Sequence, residues 1–100
     1  MAQQCYEALY GGNEEWFLSQ RMHADEMTQD YRNQLLIAYR QHVTRVNDEH
    51  RGVSSIQVTG AHADSTLQIV QVLLMLSYAD STKEEIVVPM VQKGQQWMLK

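Results

Sequence analysis

The sequence predicts an α+β fold, and three observations carry that prediction. Before residue 52, apolar side chains recur at steps of three and four, the period of helices. After it the period falls to two, the signature of strands. Residues 67–78, Leu-Gln-Ile-Val-Gln-Val-Leu-Leu-Met-Leu-Ser-Tyr, then form one long strand that is apolar on both faces. Helices first and an antiparallel meander afterwards define the class.

Residues 2–10 read as a short helix with Cys5, Ala8 and Leu9 on one face, stopped by Gly11-Gly12. Asn13 is placed to cap a second helix, with Glu14 and Glu15 in its positive first turn, running through Trp16 and Phe17 to about Met22. A long third helix is expected from about Asp25, as its cap, to Arg51. Met27, Tyr31, Leu35, Ala38, Tyr39, His42 and Val46 make its stripe, and Leu36 and Val43 widen it. Gly52 suits the position just past its end.

Ile56, Val58 and Gly60 alternate with polar neighbours and predict a strand over about 53–61. His62-Ala63-Asp64-Ser65 reads as a turn, followed by the long strand over 66–78 and a second turn at 79–82. A third strand covers about 83–92. Pro89 lacks a backbone N–H and requires an edge or a bulge there. Lys93-Gly94 turns the chain into a last strand, 95–99.

One hundred residues predict one domain, with enough chain to bury a core unaided. The net charge is −4, and Arg40, Arg45 and Arg51 are the nearest approach to a basic cluster, which argues against nucleic-acid binding. Cys5 is the single cysteine, so no intrachain disulfide can form. No apolar run is long enough for a transmembrane helix, and no leader or lipidation signal is visible.

Tyr6-Glu7-Ala8-Leu9 before Gly11-Gly12-Asn13, the strand Ile86-Val87-Val88-Pro89-Met90-Val91, and Lys93-Gly94-Gln95-Gln96-Trp97 together resemble the nuclear transport factor two-like superfamily. More narrowly they resemble small domains in envelope proteins of Bacteroides-type bacteria. The resemblance implies a cystatin-like cone, in which N-terminal helices, one of them long, pack on a curved four-stranded antiparallel sheet. It implies a periplasmic or outer-surface setting if a leader has been removed, possession of a lipid anchor in some members, and a cytoplasmic one otherwise. The superfamily holds isomerases, dehydratases and binding modules, so fold does not select function.

The candidate site follows from the cone. His42, Tyr31 and Tyr39 share the stripe of the long helix that would face the sheet. A histidine there can act as acid–base group, and phenols can donate to a developing oxyanion. Each has a plain alternative: a histidine satisfied by one hydrogen bond, and tyrosines packing a core. Gln71 interrupts the most apolar strand and must be paired or read a ligand. Met75 shares its face. The expected ligand pocket is therefore His42, Tyr31, Tyr39, Gln71 and Met75, suited to a small apolar ligand, with no cofactor.

His-Ala-Asp occurs at His23 and at His62, but no third ligand is set and no metal is expected. An enzyme of this kind also needs a carboxylate in the pocket, and only Glu84 or Glu85 could reach it by alternation. The sequence thus favours a non-catalytic binding or interaction module, which the resemblance places in the envelope. It is expected to dimerise, because Leu67, Ile69, Leu73 and Met75 need cover if Val70, Val72, Leu74 and Leu76 face the helices. A small-molecule enzyme using His42 is the second reading. A structural domain of a larger envelope assembly, its interior filled by Met75, Met90 and Met98, is the third.

Overall fold

A computed structural model describes residues 1–66 and 68–100. Leu67, expected in the second strand, lies outside the described residues. The chain forms α1 (Ala2–Tyr10), α2 (Glu14–Ser19), a 3-10 turn (Ala24–Glu26) and α3 (Gln29–His50), followed by β1 (Val53–Asp64), β2 (Ile69–Tyr78), β3 (Lys83–Lys93) and β4 (Gln96–Leu99). The four strands pair antiparallel in chain order as one curved meander.

α1 buries Ala2, Cys5 and Leu9, and the glycines end it as their freedom suggests, with Gly12 at φ +94°. The Asn13 side chain accepts the Trp16 N–H and starts α2. That helix stops at Ser19, short of the expected Met22. The backbone of the next residues finds a strand partner instead: Leu99 N donates to Gln20 O at 2.8 Å, and Met22 N to Leu99 O at 2.7 Å. The pull of the last strand ends the helix.

α3 begins later than expected. Asp25 sits in the 3-10 turn, Met27 is extended, and Thr28 Oγ1 caps the helix by accepting the Tyr31 N–H at 3.2 Å. Its far end is as expected, with Arg51 left-handed at φ 63° and Gly52 at φ 96°. Leu36 and Val46 are buried and Tyr39 and Val43 half-buried, all within the expected stripe and its widening, so the helix packs by the Leu36–Val43 edge of that stripe. Ala38 and His42 are left in solvent.

β1 runs three residues beyond the expected strand, through His62, Ala63 and Asp64. These pair with Gln71, Val70 and Ile69, and the chain turns only after Asp64, at Ser65 and Thr66. The polarity of His62-Ala63-Asp64 suggested a turn, but an edge strand open to water tolerates it. β3 lies between β2 and β4 without a bulge in its β2 register. Pro89 fits because the β4 ladder begins only at Met90, and the Pro89 carbonyl accepts the Lys100 N–H at 3.1 Å.

The core joins Ala2, Cys5, Leu9, Phe17 and Val46 to Ile56, Leu74, Leu76, Tyr78, Val88, Met90 and Leu99. The even-numbered residues of β2 therefore face the helices, and Ile69, Gln71, Leu73 and Met75 point the other way. Burial of each large aliphatic side chain contributes about 1.5–3 kcal/mol. Cys5 is wholly buried, and burial pushes its thiol pKa up.

Candidate functional site

Each helix sends one aromatic ring toward the same region. Tyr6 of α1 meets Phe17 of α2 edge to face, with centroids 5.2 Å apart, and Phe17 meets Tyr39 of α3 likewise at 5.1 Å. Such edge contacts suit the ring quadrupoles. The three rings, with Val88, Pro89, Leu99 and Lys100, wall a cleft of about 210 Å³ between the helices and the β3–β4 side of the sheet.

Arg21 enters this cleft from the segment after α2. The segment is held in place by the backbone bonds on either side of it, from Leu99 to Gln20 and from Met22 to Leu99. The half-buried guanidinium donates from Nη1 to the Tyr39 phenol oxygen at 3.0 Å. The Tyr6 phenol is pushed up in pKa, first by burial and then by neighbouring Cys5 and Tyr39, while Arg21 acts in the opposite direction. Among the described residues the lining side chains are aromatic, aliphatic and cationic, with neither a histidine nor an acidic side chain.

Of the expected pocket residues, Tyr39 lines this cleft. His42 lies on the exposed side of α3, where its Nε2 is 2.8 Å from the Tyr10 hydroxyl. The Tyr10 phenol is strongly raised in pKa, chiefly by burial. Tyr31 is 44% exposed near the start of α3. Gln71 is exposed and Met75 half-buried on the face of β2 turned away from the helices. Strand alternation thus separates Gln71 and Met75 from Tyr39, and the five residues do not form one site. Tyr6, Phe17 and Arg21 were not anticipated. Short helices and the segment after α2 carry no local signal for what these side chains meet across the fold.

On the outer face of the sheet the register builds one apolar row between two mixed ones. Leu73 sits between Gly60 and Val87, Gln71 between His62 and Pro89, and Met75 between Gln57 and Glu85. Val87 is 55% exposed. The shortest dimension of the molecule, 17 Å, leaves room for one sheet and one helical layer, so none of the described helices covers these rows, although Ile69 at one end of the same face is buried.

A polar cluster joins α3 to the β2–β3 turn. His50 Nδ1 bonds Asp80, Thr82 donates to the same carboxylate, and the Tyr78 ring stacks on His50 with centroids 4.2 Å apart. The Tyr78 hydroxyl donates to Glu84 at 2.8 Å. His23 bonds Glu26 rather than Asp25, and among the described residues no three His, Cys, Asp or Glu side chains come together as a metal-binding group. No helix among the described residues is long and apolar enough to cross a membrane.

No family model matches the sequence, and no curated protein matches it. Among solved structures, a protein of Campylobacter jejuni assigned as an NTF2-like transpeptidase superposes with a TM-score of 0.74. The match covers 98% of this chain and 92% of that one, at 14% sequence identity. The chain therefore has the NTF2-like fold, with three helices, one of them long, and a curved four-stranded antiparallel sheet. At this identity the likeness carries the fold alone.

Proposed function

We propose that the chain is a non-catalytic interaction module of the bacterial cell envelope, pairing with a second copy through the outer face of its sheet. The observation that carries this reading is the row Gly60–Leu73–Val87, flanked by Met75 and Pro89, on a face that none of the described helices covers. Contiguous apolar surface of that kind marks an interaction site. That apolar row is flanked by the polar Gln57, His62, Gln71 and Glu85, as interface cores usually are. The envelope setting rests on the sequence resemblance given above.

The enzyme reading, with His42 as acid–base group, has less support. His42 bonds Tyr10 on the exposed side of α3, and among the described residues the cleft beside Tyr39 is lined by neither a histidine nor an acidic side chain. The transpeptidase assignment belongs to the Campylobacter protein, and 14% identity does not transfer it.

Native mass spectrometry over a concentration series tests the proposal. A dimer that grows with concentration supports it, and a monomer at every concentration overturns the pairing.

A further inference from the structure

We infer that the cleft lined by Arg21 and Tyr39 is a binding site for a small monocarboxylate with a flat apolar body. The inference is independent of the pairing of sheet faces.

Arg21 is a half-buried cation whose side-chain bond, among the described residues, goes to a neutral phenol. No carboxylate lies within ion-pair distance of it among those residues. Cations withdrawn from water are normally paired, and a guanidinium carries five donors in a fork that matches a carboxylate. One arm of that fork is engaged by Tyr39, which fixes its orientation and leaves other donors for a ligand.

The rest of the wall selects the ligand's body. Tyr6, Phe17 and Tyr39 present ring surface, and Val88 and Leu99 present aliphatic surface. The volume of about 210 Å³ is that of about seven waters at liquid density, below the usual range for drug-sized ligands. It suits a molecule of benzoate size. A phosphate dianion fits less well: it brings no apolar body, and Lys100, the second cation of the lining, is exposed.

The test is an NMR titration of the intact chain with benzoate, neutral benzamide and inorganic phosphate, on wild type and Arg21→Gln. Benzoate is expected to shift the Tyr6, Phe17 and Tyr39 ring signals saturably, and benzamide and phosphate to leave them in place. Arg21→Gln is expected to weaken benzoate about tenfold or more, the scale of a lost charge-assisted bond. Undiminished benzoate binding by that variant overturns the site, as does equal binding of benzamide, displacement by phosphate, or no response from the wild type. Should Arg21→Gln not fold, the benzoate–benzamide comparison on the wild type decides alone.

Discussion

His50 Nδ1 lies 2.8 Å from Asp80 Oδ2, so the last turn of α3 is bonded to the turn between β2 and β3. The backbone repeats the connection: Asp80 N donates to His50 O at 3.1 Å, and Ala79 N to Gly52 O at 2.9 Å. The long helix is thereby fastened to the far side of a hairpin it does not adjoin in sequence.

This brace predicts a pH dependence. The Asp80 carboxyl is lowered from 3.8 to about 2, first by the Thr82 hydroxyl and then by the His50 ring. The unfolded chain binds that proton more readily than the folded one, so stability rises with pH across this window. The contribution is complete above about pH 4 and lost as pH falls through 2. Urea melts between pH 2 and 5 are expected to show a shallower slope for Asp80→Asn than for wild type. Equal slopes would remove Asp80 from the account.

Leu74 has no exposed surface and sits at the centre of the core cluster. Leu74→Ala is expected to cost about 2–5 kcal/mol, the transfer term plus a cavity. Chemical denaturation measures it directly, and a loss under 1 kcal/mol would mean that the neighbouring strands collapse into the gap.

Gly52 holds φ at +96°, and a Cβ there would stand 3.2 Å from Asn47 Oδ1. Gly52→Ala is expected to destabilise by about 1–2 kcal/mol, the penalty for an L-residue in left-handed backbone. Gly60, at an ordinary φ with only the Leu73 side chain near at 3.5 Å, is the matched control and should lose less on the same substitution.

Val87→Lys adds charge to the outer face without disturbing the core, because Val87 is already 55% exposed. It is expected to leave the unfolding midpoint of the monomer nearly unchanged and to abolish self-association in sedimentation experiments. Persistence of the dimer in this variant, and in Leu73→Glu, would move the interface elsewhere.

Tyr39→Phe removes the acceptor of the Arg21 bond while keeping the ring against Phe17. A loss of about 1 kcal/mol is expected, in the range of a single part-buried hydrogen bond. A larger loss would show that the bond is a main tie between α3 and the segment after α2.

What the sequence by itself determined is the part of the structure written by neighbouring residues. Helix and strand periods follow from where consecutive side chains point, and Gly11-Gly12, Gly52 and Gly94 mark ends and turns through their own backbone freedom. The order of elements, and with it the α+β class, was therefore legible. The tertiary structure decided whatever depends on a partner distant in the chain. Leu99 ended α2 at Ser19, and β2 drew His62, Ala63 and Asp64 out of a turn and into a strand. Packing chose the Leu36–Val43 edge of the α3 stripe as the inner one and left His42 outside, bonded to Tyr10. Alternation along β2 allowed either face to point inward, and only contact with Cys5 and Leu9 chose the one that carries Leu74 and Leu76. Arg21 and Tyr39 meet for the same reason. Eighteen residues separate them, and nothing local to either one encodes the contact.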